Sequence, residues 1–310
     1  MLENKRIVIT GGAGFIGSNI ARSLCEENEV IVIDNLLTGR YENISDIADR
    51  ITFVRDDVNN LDMLMSRLQS VDYVLHQAAL PSVQRSVEDP VTSNMNNIDG
   101  TLKVLVAALD CGVKKVVCAS SSSVYGDTPI LPKQEDMKPH PKSPYAVTKL
   151  AGEYYSRVFS EVYGLKTVCL RYFNVFGPRQ NPNSQYAAVI PLFITRTLNR
   201  KSPIIFGDGL QTRDFTFVKD VVQANVLAME SPAEGVFNIA CGHQITLNDL
   251  ADRIMEIIGI EVKKVYDLPR KGDVRDSLAD ITYAREMLGY EPRFDLNSGL
   301  KETIAWFQKN

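Results

Sequence analysis

Tyr145 and Lys149 form a pair that can remove a proton from an alcohol. They follow Ser143-Pro144, where a capping hydroxyl and a proline at the first helical position predict the start of a helix. Because they are four residues apart, the two side chains share one helix face, with Cβ atoms about 5–6 Å apart. An ordinary tyrosine has a pKa of about 10, and a nearby ammonium group favours the ionised form. The spacing therefore predicts a base that works near neutral pH.

A run of four serines, residues 120–123, follows the apolar stretch 114–119, which predicts a strand. Open α/β sheets bind ligands at the carboxyl ends of their strands. The hydroxyl groups of Ser121, Ser122 and Ser123 are therefore predicted to face a ligand at this edge of the sheet.

Gly11, Gly14 and Gly17 separate the first predicted strand from the first predicted helix. Glycines at these places allow a tight turn and let backbone N–H groups approach a diphosphate at the helix N-terminus. Asp34 ends the second strand, where a carboxylate can bind ribose hydroxyl groups and would repel a 2′-phosphate. The arrangement predicts NAD rather than NADP as the cofactor.

The elements that carry these residues alternate between strand and helix. Strands are predicted at 6–10, 29–33, 51–54, 71–75, 114–119 and 167–170, and helices at 15–27, 61–68, 91–111 and 144–163. The strands are continuous apolar runs, as expected where both faces of a parallel sheet are covered. The predicted fold class is α/β, a Rossmann-type doubly wound parallel sheet with a smaller C-terminal substrate-binding lobe.

The predicted division between the two units is discontinuous in sequence. After Arg171 the alternation gives way to loops rich in Pro, Asn and Gly, but a helix at 221–229 and a strand at 236–239 return to the sheet. Residues 1–175 with about 218–245 are predicted to form the NAD-binding Rossmann domain. Residues 176–217 with 246–310 are predicted to form the lobe that binds the second ligand.

Composition excludes several classes of partner. The formal net charge is −4 and no run of like charges occurs, so no nucleic-acid or membrane partner is predicted. The five cysteines contain no CxxC pair and no metal site is predicted. The N-terminus lacks the features of a signal peptide, and no apolar stretch approaches the roughly 20 residues of a membrane span. The predicted location is cytoplasmic.

Four segments together resemble the extended short-chain dehydrogenase/reductase family. TGGAGFIG, Asp34, SSSSVYG and YAVTK occur in the family's order, across essentially the whole chain. The resemblance implies that Ser121 is the active-site hydroxyl, Tyr145 the base and Lys149 its activator. It also implies a homodimer formed through the helices at 91–111 and 144–163. The predicted cofactor contacts are Gly11, Gly14, Phe15, Ile16, Gly17, Asp34, Asn35, Asp57, Val58, Ala78, Ala79, Asn97, Tyr145, Lys149 and Tyr172.

Residues 171–178, 208–215 and 270–273 resemble the nucleotide-sugar epimerase branch of that family. The resemblance implies that Asn174 and Arg213 bind the diphosphate of a UDP-sugar, with Arg270 and Asp273 reaching the diphosphate and the uridine ribose. A guanidinium suits this role because its planar fork can chelate phosphate oxygens. The predicted substrate contacts are Ser82, Ser121, Ser122, Ser123, Tyr145, Phe173, Asn174, Val189, Arg213, Arg270, Asp273 and Ser277.

Within the branch, residues 171–191 and 272–280 are most similar to UDP-N-acetylglucosamine 4-epimerases. The resemblance implies that Ser277 stands where UDP-galactose 4-epimerases carry the residue that bounds the sugar pocket beside C2, and a small serine there would leave room for an N-acetyl group. Sugar dehydratases carry two carboxylates where this chain has Ser122 and Ser123, and UDP-glucuronate decarboxylases carry a Glu at the second place. Dehydration and decarboxylation are therefore disfavoured. UDP-glucose 4-epimerase, UDP-glucuronate 4-epimerase and a non-catalytic NAD-sensing protein remain as alternatives.

Overall fold

The computed structural model describes residues 2–182, 188–269 and 274–309. The strands are β1 (Arg6–Thr10), β2 (Glu29–Ile33), β3 (Ile51–Val54), β4 (Tyr73–His76), β5 (Lys115–Ser121), β6 (Thr167–Tyr172), β7 (Val175–Phe176), β8 (Ile204–Phe206), β9 (Thr212–Asp214), β10 (Thr216–Phe217), β11 (Gly235–Ile239), β12 (Gln244–Thr246) and β13 (Val265–Asp267). The helices are α1 (Phe15–Leu24), α2 (Leu61–Arg67), α3 (Val83–Glu88), α4 (Pro90–Asn94), α5 (Gly100–Asp110), α6 (Pro144–Tyr163), α7 (Val189–Leu198), α8 (Val218–Glu230), α9 (Leu247–Ile258), α10 (Thr282–Leu288) and α11 (Leu296–Lys309).

Seven parallel strands form the central sheet, in the order β3-β2-β1-β4-β5-β6-β11. Helices cover both faces, which explains why the strands are continuous apolar runs. The predicted Rossmann-type doubly wound α/β fold is confirmed. The chain leaves β1 in one direction to β2 and β3, and β4, β5 and β6 follow on the other side. The carboxyl ends of β1 and β4 therefore flank the switch point where such sheets bind ligands.

Alternate residues of the strands feed two cores on opposite faces of the sheet. Ile7 and Ile9 of β1 pack on one face with helices α1 and α8, whereas Val8 packs on the other with α5 and α6. A third apolar cluster lies apart from both and joins α7, α9 and α11, with Phe176 and Phe217 among its fully buried members. We propose on this basis that the chain divides near the predicted boundaries, with 1–175 and about 218–245 holding the sheet.

The predicted helix at 91–111 corresponds to a continuous helical stretch, but a π turn at Met95–Asp99 separates α4 from α5. A π turn adds one residue to the helix and so rotates the side chains that follow it. Asn97 lies in this turn and is buried. Its Oδ1 accepts from Leu80 N at 2.7 Å and its Nδ2 donates to Thr148 Oγ1 at 3.0 Å. Asn97 thus braces a loop at the end of β4 against α6.

Four strands have boundaries that differ from the prediction by one or two residues, and one of these differences affects the candidate site. The predicted strand at 71–75 is β4, which begins two residues later. The predicted strand at 114–119 is β5, which continues to Ser121 because Ser121 pairs with Tyr172 of β6. Ser121 therefore ends the strand, and Ser122 and Ser123 begin a 3₁₀ turn that runs to Tyr125. Within the described residues, no helix is both long and apolar enough to cross a membrane.

His76, the last residue of β4, is a buried polar link beneath the switch point. Thr101 Oγ1 donates its proton to Asn97 O, so the same oxygen accepts from His76 Nε2 at 2.9 Å. The other ring nitrogen, His76 Nδ1, then accepts from Thr10 Oγ1 at 2.8 Å. Burial, followed by the charge of Lys149, lowers the pKa of His76 to about 3. The folded chain therefore keeps this imidazole neutral.

Replacing His76 by Gln should flatten the pH dependence of stability. The unfolded chain takes up a proton near pH 6.5, whereas the folded chain takes it up only near pH 3, so stability is lost as the pH falls through this window. At pH 5 the expected loss is about 2 kcal/mol relative to pH 7. Urea unfolding at several pH values measures it. The exposed His140 provides the matched control, His140→Gln, which should keep the wild-type slope. Equal slopes in His76→Gln and wild type would contradict this account.

Candidate active site

A cavity of about 570 Å³ lies at the carboxyl ends of β1, β2, β4 and β5. All of the predicted cofactor contacts except Asp57 and Asn97 line it, and so does Ser82. Asp57 instead accepts from the side chain of Asn35 at 2.7 Å, and its neighbour Asp56 is at the cavity wall. The structure thus brings the glycine loop, Asp34 and the Tyr-Lys pair to one cavity.

The glycine loop fits closely against the end of β4 and the start of α1. Gly11 has φ +68°, and a Cβ atom there would lie 2.6 Å from Ala78 N. A Cβ atom on Gly17 would lie 2.3 Å from Gly11 O. Helix α1 has no side-chain cap at its N-terminus. Its first backbone N–H groups are therefore available to an anion in the cavity.

Asp34 directly follows β2 at the cavity wall, where it is 7% exposed. Its Oδ2 accepts from Ala13 N at 3.0 Å and its Oδ1 from Leu36 N at 2.8 Å. Burial raises the pKa of this carboxyl group, and the two backbone N–H groups oppose that increase. The two hydrogen bonds hold the carboxylate in place, with unused lone pairs for a ligand hydroxyl group.

Tyr145 and Lys149 lie in the first turns of α6. Ser143 caps this helix by accepting from Ala146 N at 3.2 Å, as the sequence predicted. The backbone N–H of Tyr145 donates to Ser86 Oγ of α3 at 3.0 Å. Lys149 Nζ donates to Ala119 O of β5 at 2.8 Å and lies 5.9 Å from the centre of the Tyr145 ring. The Ser121 hydroxyl group is near enough to the Tyr145 phenol to influence its pKa. The three predicted catalytic residues therefore meet where β5 ends and α6 begins.

Burial acts against a charge on both members of the Tyr-Lys pair. Burial raises the pKa of Tyr145 to about 12, and the hydrogen bond from Ser121 only partly opposes it. Burial also lowers the pKa of Lys149 to about 8, with Cys118, Cys169 and Glu153 acting in the other direction. Lys149, held on the Ala119 carbonyl, does not by itself bring the phenol near neutral pH in the cofactor-free chain, because burial disfavours the phenolate. A phenolate here needs a further positive charge.

A second cavity of about 250 Å³ is lined by the predicted substrate contacts Asn174, Val189 and Arg213. Gln180 and Ala188 line both cavities, so the two are neighbours. Arg213 Nη1 donates to the carbonyl oxygens of Thr212 and Arg275, which holds the guanidinium beside this cavity. The second cavity therefore presents a cation and an amide next to the first.

The remaining predicted substrate contacts have varied positions. Ser277 is 9% exposed and lies 3.4 Å from the side chain of Asn174, which places it beside the second cavity. Ser122 and Ser123 are half-buried, and Ser123 Oγ has no hydrogen-bond partner among the described residues. Phe173 is fully buried and packs against Tyr125, away from both cavities. Arg270 and Asp273 lie outside the described residues.

Comparison with known protein families identifies this arrangement. Residues 7–240 match the profile of the NAD-dependent epimerase/dehydratase family, which is more than half of the chain. The chain belongs to the NAD-dependent epimerase/dehydratase family. Three predictions are thereby confirmed: the family resemblance, NAD as the cofactor, and the assignment as an NAD-dependent nucleotide-sugar epimerase.

Three members of the family that are similar over nearly the whole chain carry different substrate names. A putative UDP-glucose 4-epimerase of Methanocaldococcus jannaschii is 42% identical, with 98% of this chain and 99% of the relative covered. The solved UDP-N-acetylglucosamine 4-epimerase of Methanobrevibacter ruminantium M1, in complex with UDP-N-acetylmuramic acid, is 44% identical, with a TM-score of 0.97 and 99% of both chains covered. The UDP-glucuronic acid 4-epimerase of Bacillus cereus, with UDP-glucuronic acid and NAD, is 34% identical, with a TM-score of 0.91 and 98% and 99% covered.

The residues of the first cavity fit the cofactor of this family. The close approach of Gly11 and Gly17 to neighbouring backbone leaves no space for side chains, and the uncapped start of α1 suits a diphosphate. Asp34 suits the adenosine ribose. Among the described residues, no group of three or more His, Cys, Asp or Glu could hold a metal ion.

Sequence reasoning missed several residues that line the cavities. Gln180 is at both cavities, and its buried Oε1 has no hydrogen-bond partner among the described residues. Phe206 and Gln211 line the second cavity, and Arg179 the first. Gln180 and Arg179 lie within the loop that the sequence marks as rich in Pro and Asn, but nothing in a loop's composition indicates which of its side chains face a cavity.

Replacing Asp34 by Asn should weaken NAD binding at least tenfold and reduce the preference for NAD over NADP. The amide has only one acceptor oxygen, so it cannot accept from both backbone N–H groups and bind a ribose as well. It also lacks the charge that repels a 2′-phosphate. Fluorescence titration of cofactor-free protein with both dinucleotides measures the effect. Asp49→Asn, at an exposed site, is the control. An unchanged ratio of NAD to NADP affinity in Asp34→Asn would remove Asp34 from this role.

Proposed function

We propose that this chain catalyses the 4-epimerisation of a UDP-hexose, with UDP-N-acetylglucosamine and its galacto epimer as the preferred pair. The observation that supports this most directly is the position of Tyr145 and Lys149. They line the cavity that holds the glycine loop, and that cavity shares Gln180 with a second cavity suited to a nucleotide diphosphate. An alcohol of a sugar attached to that diphosphate can therefore reach the phenol.

Tyr145 takes the proton of the C4 hydroxyl group in the proposed reaction, and Ser121 hydrogen-bonds to the same oxygen. When bound, NAD⁺ supplies the hydride acceptor and a positive ring charge that favours the phenolate. Lys149, held on the Ala119 carbonyl, adds its own charge and can replace the phenolic proton. Tyr145 returns a proton to the oxygen of the 4-keto sugar once its other face is presented.

The sugar must turn within the cavity between the two proton transfers while the nucleotide stays bound. Asn174 and Arg213 are placed to hold the diphosphate at the second cavity. Tight binding of the hexose itself would stabilise one orientation and would not lower the barrier. We infer that the nucleotide is bound tightly and the sugar weakly. The half-buried hydroxyl groups of Ser122 and Ser123 can provide the weak contacts to the sugar.

The choice of an N-acetylated sugar rests on Ser277. Its small side chain is beside Asn174, at the second cavity, where a larger residue would reduce the space for a C2 substituent. The similarity to a UDP-N-acetylglucosamine 4-epimerase at 44% identity points the same way. Ser122 and Ser123 stand where elimination or decarboxylation would require carboxylates. UDP-glucose is the second candidate, because a relative of that name is 42% identical over nearly the full length.

A substrate panel tests the function. Purified protein is given UDP-glucose, UDP-N-acetylglucosamine or UDP-glucuronate, and products are followed by NMR. We expect the highest kcat/KM for UDP-N-acetylglucosamine and no net NADH, because the hydride returns to the sugar. Tyr145→Phe should lose more than about 100-fold of activity and keep its NAD, since it removes only the proton-transfer group.

Several outcomes of the panel would contradict the proposal. Stoichiometric NADH release would show a dehydrogenase, and preference for another hexose would overturn the N-acetyl assignment. No conversion and no isotope exchange at C4 would favour an NAD-sensing protein. Near-normal turnover of Tyr145→Phe would remove this residue from the base role.

We also propose a homodimer in a reducing, cytoplasmic compartment. Apolar side chains of α6 are exposed at helical spacing, among them Tyr154, Val158 and Val162, and Val91 and Met95 of the neighbouring helix are exposed beside them. A contiguous apolar helical face of this kind is typical of an interface. All five cysteines are free thiols, which suits a reducing compartment.

Light scattering should give twice the chain mass of 34.6 kDa for the wild type. Val158→Asp with Val162→Asp places two charges on the exposed face and should give the monomer mass without loss of helical signal. Ile130→Asp, at a loop position that is 62% exposed, should leave the mass unchanged. A wild type that is monomeric at all concentrations would contradict the dimer.

A further inference from the structure

A buried ion pair lies directly behind the candidate active site. Arg171 of β6 and Glu153 of α6 are 3% and 4% exposed. Arg171 Nε lies 2.8 Å from Glu153 Oε1, and Arg171 Nη2 lies 2.7 Å from Glu153 Oε2. The pair is therefore bidentate, the arrangement that fixes both distance and orientation.

The pair is bonded to residues on each side of Ser121. Ser120 Oγ donates to Glu153 Oε1 at 2.5 Å, and Arg171 Nη1 donates to Tyr125 OH at 2.8 Å. Tyr125 OH in turn donates to Asn238 Oδ1 of β11 at 2.7 Å. Ser120 precedes Ser121, and Tyr125 ends the 3₁₀ turn. Both ends of residues 120–125, the serine segment, are therefore hydrogen-bonded to one ion pair.

The pair also continues the contact made by Lys149. Glu153 lies one helical turn after Lys149, so both point to the same side of α6. Lys149 binds the carbonyl of Ala119, and Glu153 binds the hydroxyl group of the next residue, Ser120. Two successive turns of α6 are thus joined to two successive residues of β5. A shift of the helix by a fraction of a turn would break both contacts.

Stability alone does not account for such a pair. The cost of removing two charges from water commonly matches or exceeds their attraction, and well-packed apolar residues in their place are often as stable. An apolar pair would pack, but it would give Ser120 and Tyr125 no directed partner. What the ion pair adds to the structure is therefore its hydrogen bonds to Ser120 and Tyr125.

We propose that the Glu153–Arg171 ion pair is the positioning device of the active site, which holds α6 and the serine segment in the alignment that brings Tyr145, Lys149 and Ser121 together. The proposal rests on the proposed function for its kinetic consequences. Neither residue lines a cavity and both act through others, Glu153 through Ser120 of the first cavity wall, so neither is a catalytic residue.

The ion pair has an electrostatic consequence at Lys149. Glu153 is one of the groups that oppose the decrease in the pKa of Lys149 caused by burial. The titratable groups that face Lys149 are Cys118 of β5, Cys169 of β6, His76 of β4, and Tyr145 and Glu153 of α6. Burial and the charge of Lys149 keep His76 neutral, so Glu153 is the acidic residue of this group whose removal lowers the pKa of Lys149 further.

Two variants test the proposal. Glu153→Gln removes the charge and leaves Arg171 unpaired, whereas Glu153→Leu with Arg171→Met replaces the whole pair by apolar residues. The double variant should fold with a Tm near that of the wild type. In both variants kcat should fall roughly 10- to 100-fold, while KM and bound NAD change by less than about twofold, because the groups are misplaced but the cavities remain.

A titration that needs no substrate separates positioning from a general loss of structure. The ¹³Cε signal of Lys149, assigned by its absence in Lys149→Ala, should titrate at a lower pH in both variants than in the wild type. Glu161→Gln breaks the exposed pair with Arg157 on the same helix and is the matched control. It should keep the wild-type kcat, Tm and Lys149 titration.

The outcomes that overturn the proposal are distinct. A folded double variant with wild-type kcat and an unchanged Lys149 titration would show that the pair positions nothing. A double variant that does not fold, or that loses NAD in proportion to kcat, would assign the pair to the fold instead. If the wild type converts no UDP-hexose, the proposed function fails, and the Lys149 titration of the double variant, which removes both opposite charges together, then decides the positioning role.

Discussion

The hydrogen bond from Lys149 Nζ to the carbonyl oxygen of Ala119 sets the position of the candidate active site. A half-buried ammonium group must find acceptors, and in this chain it finds one at the end of a central strand. Tyr145 lies one helical turn before Lys149, and Ser121 lies two residues after Ala119. A single contact between α6 and β5 therefore brings a phenol and a hydroxyl group together. Parallel pairing of β5 with β4 and β6 holds Ala119 where this contact is possible.

The same burial that creates the site opposes a charge on its groups. It raises the pKa of Tyr145 and lowers that of Lys149, so the protein alone disfavours the ion pair that proton transfer requires. A bound cofactor with a positive ring changes this balance, because charge in a region of low dielectric acts strongly over short distances. In the proposed reaction, a bound nicotinamide with a positive ring would favour the phenolate, which links proton transfer to cofactor binding.

The two neighbouring cavities offer different kinds of binding group. The first offers backbone N–H groups and one carboxylate, and the second offers an arginine, an amide and apolar walls that include Phe206 and Phe215. Rigid elements carry both sets, since the glycine loop lies between β1 and α1, and Arg213 belongs to the β9–β12 pair. In the proposed reaction, the sugar lies between these two sets of binding groups.

The sequence by itself determined the sheet, the glycine loop, Asp34 and the Tyr-Lys pair. Each of these depends on a short pattern: an apolar run, a fixed glycine spacing, or two residues one helical turn apart. Such a pattern favours the same local structure wherever it occurs, so it can be recognised without knowledge of the fold. The strand and helix limits shifted by only a few residues, and Ser121 moved into β5 because of its pairing with Tyr172.

Tertiary structure alone decided how distant segments meet. Four features join residues that are far apart in the chain. They are the hydrogen bond between Tyr145 and Ser86, the contacts of Asn97 in the π turn, the ion pair of Glu153 with Arg171, and the position of Gln180 at both cavities. Phe173, although adjacent to Asn174, turns into the core. The pKa of Tyr145 was also beyond the sequence, because desolvation depends on everything packed around a group rather than on its neighbours in the chain.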